Sequence, residues 1–134
     1  MTKVLTVGVF DYFHYGHLML LEQAKQQGDY LIVAVQRSES IRKYKPHAEI
    51  FYSTEQRMRL LSALSVVDEV VVYSDVDADL PKLDFDVFAV GEDQLHEGFQ
   101  RACAWCRENG RKVVRMKYTQ GISSTVLKER IQKL

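Results

Sequence analysis

The stretch Lys3–Val35, KVLTVGVFDYFHYGHLMLLEQAKQQGDYLIVAV, decides the fold. Lys3–Val9 is apolar and rich in β-branched residues, which predicts a buried strand. His17–Gln27 then sets Leu18, Leu20, Leu21 and Ala24 at helical spacing, and Gly28 stops the helix. Tyr30–Val35 is a second apolar run. Neither run alternates with polar residues, so both faces of each strand are expected to be covered. Two such strands joined by a helix make a right-handed βαβ unit.

The pattern continues outward. Ser53-Thr54-Glu55-Gln56 has the form of a capping box and opens a helix expected to reach about Leu64. Glu69–Tyr73, Asp86–Val90 and Lys112–Met116 read as further strands. Gly98–Asn109 and Ser123–Lys133 read as helices, the second capped by Ser123 or Ser124. Arg37–Tyr52, basic and interrupted by Pro46, has weak periodicity and reads as a loop with a short helical turn at its start. Asp75, Asp77 and Asp79 lack the glycine and closing glutamate of a calcium loop and read as a solvated loop. The expected fold is α/β: a single-domain, Rossmann-like, open parallel five-stranded sheet with helices on both faces, spanning residues 1–134.

Eighteen basic and eighteen acidic side chains balance in 134 residues. This neutrality gives no support for a nucleic-acid partner, which usually demands a basic excess. No apolar stretch reaches the roughly 20 residues needed to span a bilayer, and the N-terminus has no signal-peptide pattern, so no membrane association is expected. Cys103 and Cys106 have CxxC spacing, but they fall inside a helix and lack further zinc ligands. Core thiols in a reducing cytoplasm are the expectation.

Ligands of open α/β sheets bind beyond the carboxyl ends of the strands. Three segments follow strands here: Gly8-Val9-Phe10-Asp11 through His17, Gly91-Glu92-Asp93-Gln94, and Tyr118 through Thr125. His14-Tyr15-Gly16-His17 is the sharpest of them. Its two imidazoles lie three residues apart on one helical face, at a helix start whose backbone N–H groups favour anions. Gly16 allows a phosphate or base close to the backbone. Attack on an α-phosphate builds charge on its oxygens, and fixed donors stabilise that charge.

GVFDYFHYGH with LLEQAKQQGDYLIVAV, STEQRMRLLSALSVVDEVV and GISST together resemble the small HxGH cytidylyltransferases, most of all glycerol-3-phosphate cytidylyltransferase. The resemblance covers nearly the whole chain, with a length difference around residues 42–52. It implies a nucleotidyltransferase domain that moves CMP from CTP onto a phosphorylated small alcohol such as glycerol 3-phosphate and releases pyrophosphate. By the resemblance, His14 and His17 stabilise the α-phosphate. Lys43 and Lys45 reach substrate or phosphates. Backbone around Gly8, Val9 and Phe10 contacts the triphosphate, Asp11 orders the loop, and Gly91 and Asp93 join the nucleotide-binding set. Gly121, Ile122, Ser123, Ser124 and Thr125 form the second signature, with its hydroxyls on the β- and γ-phosphates. Tyr118 and Ser65 stand where the family has arginines, and Arg115, Lys117 and Lys128 are the nearest substitutes. Archaeal FAD synthetase, similar at GEDQ, and the ADP-heptose-forming enzymes use ATP. An adenylyltransferase acting on a flavin or sugar phosphate is therefore the second expectation, and a non-catalytic nucleotide-binding module the third. A triphosphate cleaved to pyrophosphate calls for Mg²⁺, and the resemblance implies a homodimer.

Overall fold

The computed structural model describes residues 1–118 and 121–134. Five strands, β1 (Lys3–Gly8), β2 (Tyr30–Gln36), β3 (Glu69–Tyr73), β4 (Val87–Gly91) and β5 (Lys112–Met116), form one parallel sheet in the order β3-β2-β1-β4-β5. The helices are α1 (Tyr15–Lys25), α2 (Ser38–Tyr44), α3 (Thr54–Ser62), α4 (Val76–Asp79), α5 (Glu97–Glu108) and α6 (Ser124–Gln132), with a 3-10 turn at Leu80–Lys82.

The strands alternate between two cores. Along β2, Leu31, Val33 and Val35 face one cluster with Leu20, Leu21 and Ala24 of α1 and Leu61 of α3. Ile32 and Ala34 face the other, with Phe99, Ala102, Cys103 and Cys106 of α5. A period of two with both faces buried explains why these strands read as unbroken apolar runs. Both thiols are free and buried, and burial pushes that of Cys106 up to about 11. They pack as the expected inert core groups. No helix is long and apolar enough to cross a membrane among the described residues.

Two expectations need correction. The helical turn expected at the start of Arg37–Tyr52 is a seven-residue helix, Ser38–Tyr44, and the rest of that segment is loop. Only Ser38 and Ile41 of it are buried, so the pattern is too sparse to read locally. The element is held from outside, by the Arg57 guanidinium donating to the Ser38 hydroxyl at 2.7 Å. The aspartates at 75–79 are not a solvated loop either. Asp79 accepts the N–H groups of Ser74 at 2.7 Å and Asp75 at 3.1 Å, which fixes the entry to α4. Asp77 is bridged by Arg101 at 2.7 Å.

Strand order reverses at β1, which pairs β2 on one side and β4 on the other. The β1–β4 pairing covers only Val4↔Val87 and Leu5↔Phe88, so the two strands part toward their carboxyl ends. The Gln94 side chain fills the split, donating to the Val7 carbonyl at 3.1 Å and accepting from the Gly91 N–H at 2.8 Å. The crevice that opens there is where ligands of such sheets bind.

Candidate active site

The turn from β1 to α1 holds two non-glycine residues in the left-handed region, Phe10 (φ 56) and Tyr12 (φ 51). Such conformations cost roughly 1–3 kcal/mol each and persist where the surroundings enforce them. Here the Phe10 ring is buried among Leu20 and Leu21. The Asp11 carboxylate accepts the N–H groups of Phe51 at 2.7 Å and Tyr52 at 3.0 Å. Asp11 thus pins the 45–52 segment across the crevice.

His14 is the N-cap of α1, and His17 is the third residue inside. The His14 Nδ1 accepts the Gly16 N–H at 3.0 Å, and the His17 Nδ1 accepts the His14 N–H at 3.2 Å. The pair forms a capping box from two imidazoles, although histidine is not among the preferred caps. The consequence is chemical. A ring whose Nδ1 accepts must carry its proton on Nε2, so both residues keep an Nε2–H donor. The rings stack 3.9 Å apart, and His17 is also flanked by Phe10 and Phe13. Burial first, then the neighbouring His14, pull His17 down to about 4, and burial lowers His14. At neutral pH both rings are uncharged hydrogen-bond donors.

Gly16 serves this cap. A Cβ there would stand 2.9 Å from the His14 ring, so the missing side chain makes room for the imidazole rather than for a ligand. Gly91 is constrained in the same way, since a Cβ would meet the Tyr118 hydroxyl at 2.6 Å. Tyr118 lies over the end of β4, and burial and a hydrogen bond to Asp93 push its phenol well above its usual value.

The crevice encloses about 380 Å³. Gly8, Val9, Phe10, Asp11 and His17 line it from the β1–α1 turn, Lys45 from the end of α2, and Gly91, Tyr118 and Ser124 from the far side. Asp93 stands behind Tyr118 and does not line it. In the second signature the Ser123 hydroxyl caps α6 through the Val126 N–H at 3.1 Å. Ser124 faces the crevice, and its hydroxyl lies 3.5 Å from the Asp11 carbonyl. Thr125 is exposed and Gly121 (φ 79) turns the chain, with Ile122 beside Gly16. Thr119 and Gln120 of the same signature lie outside the described residues.

Lys43 is not brought to the crevice. Its ammonium stands 5.4 Å from the Tyr44 ring, whereas Lys45, in the non-helical cap position just past α2, lines the crevice. Arg115 is diverted too, donating to the carbonyls of Gly91 at 3.3 Å and Gln94 at 3.1 Å. The backbone of Lys117 is paired with the Gln23 amide. Of the three substitute cations, Lys128 lines the crevice, 4.7 Å from the Tyr12 ring.

Sequence reasoning missed Arg57. Fully buried, it donates five hydrogen bonds to neutral oxygens: the carbonyls of Tyr52, Val9 and Gln36 and the hydroxyls of Ser38 and Thr54. It ties the ends of β1 and β2 to α2 and α3. Burial lowers its pKa, with the Asp11 charge opposing. One of two arginines, Arg57 and Arg59, on a helix of mixed composition carries no such signal. Gln94 falls in a candidate segment, but its bridging role appears only once β1 and β4 are neighbours.

A parallel sheet that splits at its switch point, with two neutral imidazole donors at the mouth of the first helix, defines a nucleotidyltransferase. The chain belongs to the cytidylyltransferase-like family, whose profile matches residues 5–130. It is 39% identical over 136 residues to a glycerol-3-phosphate cytidylyltransferase of Bacillus subtilis, covering 98% of each chain. An FAD synthase of Ferroglobus placidus is 40% identical over 114 residues, 84% of this chain and 70% of that protein. Among solved structures, a lipopolysaccharide core biosynthesis protein of Thermoplasma volcanium superposes with a TM-score of 0.73 at 26% identity, over 89% of this chain and 97% of that one.

Proposed function

We propose that this chain transfers CMP from CTP to a phosphorylated alcohol of the glycerol 3-phosphate type. An oxygen of the acceptor's phosphate attacks the α-phosphorus. The new P–O bond forms as the bond to the β-phosphate oxygen breaks, and pyrophosphate leaves. The observation that carries this reading is the double use of the histidines: each Nδ1 is consumed by the helix cap, so each ring keeps an Nε2–H donor for an α-phosphoryl group; His17 lines the crevice, and His14, stacked on it at 3.9 Å, stands just outside that lining. Lys45 stands at the edge of the crevice to draw in the attacking phosphate, and Ser124 with Lys128 faces the leaving β- and γ-phosphates.

Mg²⁺ fits this site as part of the nucleotide. Among the described residues no three His, Cys, Asp or Glu side chains converge as a metal cage, and the Asp11 oxygens already accept backbone N–H groups. Phosphate oxygens and water would hold the ion, which neutralises the departing pyrophosphate. On the family resemblance we also propose a cytoplasmic homodimer.

The second reading, transfer of AMP from ATP, has one feature in its favour: Tyr118 occupies the place over Gly91 where a triphosphate-clamping arginine was expected. Pyrophosphate release with glycerol 3-phosphate, measured in parallel with CTP and ATP, decides between the two. Faster release with CTP supports the proposal, and release with ATP alone replaces it with the second reading.

A further inference from the structure

Toward its carboxyl edge the sheet divides into two halves. The β1–β2 ladder runs unbroken to Gly8↔Val35, and the β4–β5 ladder runs to Gly91↔Met116. Between them, β1 and β4 pair only at Val4↔Val87 and Leu5↔Phe88. The walls of the crevice divide in the same way. Val9, His17 and Lys45 belong to the β1–β2 half, and Gly91, Met116 and Tyr118 to the β4–β5 half. A reaction that uses groups from both walls needs their separation fixed.

The Gln94 amide lies where the β1–β4 ladder has stopped. Its Nε2 donates to the Val7 carbonyl of β1 at 3.1 Å, and its Oε1 accepts the Gly91 N–H of β4 at 2.8 Å. These partners fix which end of the amide faces which strand, because a carbonyl can only accept and an N–H only donate. The backbone beneath the amide is held as well. The Gln94 N–H donates to the Gly91 carbonyl at 3.1 Å. From β5, the Arg115 guanidinium donates to the carbonyls of Gln94 at 3.1 Å and Gly91 at 3.3 Å. A second tie runs on the face that α1 covers, where the Gln23 amide pairs with the backbone of Lys117 at 2.8 and 3.3 Å. Gln94 itself lines both the crevice and a neighbouring cavity of about 590 Å³ that has His96 at its rim.

We propose that Gln94 is a positioning residue: its side-chain amide is a strut that sets the separation of the two half-sheets, and with it the distance between the wall that carries His17 and the wall that carries Tyr118. It acts through Val7 and Gly91 rather than on the reacting atoms. A primary amide suits this task because one rigid plane offers a donor to one strand and an acceptor to the other. The kinetic part of the proposal rests on the nucleotidyl-transfer reading above, and the mechanical part does not. Misplacing a reacting group by about 1 Å can cost on the order of 10²-fold in rate. Loss of the strut should therefore appear in kcat, while triphosphate contacts made on a single wall survive and keep KM.

Two variants of the full chain keep the size of the side chain. Gln94→Met removes both hydrogen bonds. Gln94→Glu keeps an acceptor for the Gly91 N–H but, once ionised, sets a second acceptor against the Val7 carbonyl. At about pH 8, where the introduced carboxyl is ionised, both are expected to lower kcat for pyrophosphate release from CTP and glycerol 3-phosphate about ten-fold or more, with the KM for CTP within about two-fold of the parent's. Either variant would satisfy a role in filling space alone, so parental kcat in either overturns the proposal. The wall separation is read directly by electron–electron distance measurement between nitroxides attached at Arg42→Cys and Lys117→Cys. Both positions are exposed, while Cys103 and Cys106 are buried. Gln94→Met is expected to broaden or lengthen the distance distribution. An unchanged distribution overturns the strut even if kcat falls. If the parent releases no pyrophosphate with CTP or ATP, the functional reading is lost, and the distance measurement still decides the strut.

Discussion

The His17 Nδ1 accepts the backbone N–H of His14 at 3.2 Å while the two rings stack 3.9 Å apart. One pair of side chains thus closes the helix end and fixes the tautomer of both rings. Catalysis and local folding share the same atoms, and the first prediction separates them. His14→Ala removes cap and donor together. His14→Asn restores the cap but not Nε2. Both are expected to lower kcat on the order of 10²–10³-fold, while only the alanine variant loses about 1 kcal/mol of stability through the cap. Turnover and urea denaturation of the two variants check this. An asparagine variant with near-parental kcat would sink the assigned role.

The acid limb of stability should report His17. Its folded value of about 4 lies below the ordinary 6.5, chiefly because of burial. Between these values the unfolded chain binds a proton that the folded chain refuses. Stability is therefore complete above about pH 6.5, falls as pH drops, and the loss saturates near pH 4 at no more than about 3 kcal/mol. Protonated Nδ1 can no longer accept from His14, so the capping box opens at the same time. His17→Gln should flatten the difference in unfolding free energy between pH 6.5 and 4.5. An unchanged slope would contradict the assignment.

Arg57→Ala should cost about 3 kcal/mol or more. The substitution leaves buried carbonyls of Val9 and Gln36 without their donor, and unsatisfied buried groups carry the full desolvation cost. Arg57→Lys should recover only part, because an ammonium cannot match a planar fork spread over five acceptors. Chemical denaturation monitored by the lone tryptophan, Trp105, measures both.

Excess chelator is expected to abolish pyrophosphate release, and added Mg²⁺ to restore it. Full activity with chelator present would exclude the proposed part played by the ion.

Lys128→Ala should weaken CTP binding, whereas Arg115→Ala should not do so directly, since Arg115 is tied to the carbonyls of Gly91 and Gln94. Tyr118→Arg should tighten CTP or ATP binding by about 1 kcal/mol through a charge-assisted hydrogen bond. It need not raise kcat, because tighter ground-state binding does not accelerate chemistry. Calorimetric titration of the three variants tests these expectations. No gain from Tyr118→Arg with either nucleotide would mean that position 118 does not address the phosphates.

The apolar runs of β1, β2 and β4 and the HYGH segment were legible because each carries its signal within a few consecutive residues. A strand buried on both faces is apolar at every position, and a histidine pair at a helix mouth is set by spacing alone. Lys43 and Lys45 looked equivalent for the same reason: two residues in a weakly patterned segment have no local property that says which one faces the crevice. Where α2 ends decides, with Lys43 inside it and Lys45 just past it, and that helix is held by Arg57 from a distant part of the chain.

The sequence by itself determined the parallel α/β architecture, the histidine pair at the mouth of the first helix and the family, since these depend on periodicity and contiguous motifs. Only the tertiary structure decided which cations reach the crevice, that Gln94 bridges a split between β1 and β4, that the aspartates at 75–79 are engaged, and that a second cavity with His96 at its rim opens beside the first. Each of these depends on groups far apart in the chain meeting at the edge where strand order reverses. No local pattern encodes such a meeting, because the interactions that fix it exist only after the sheet has assembled.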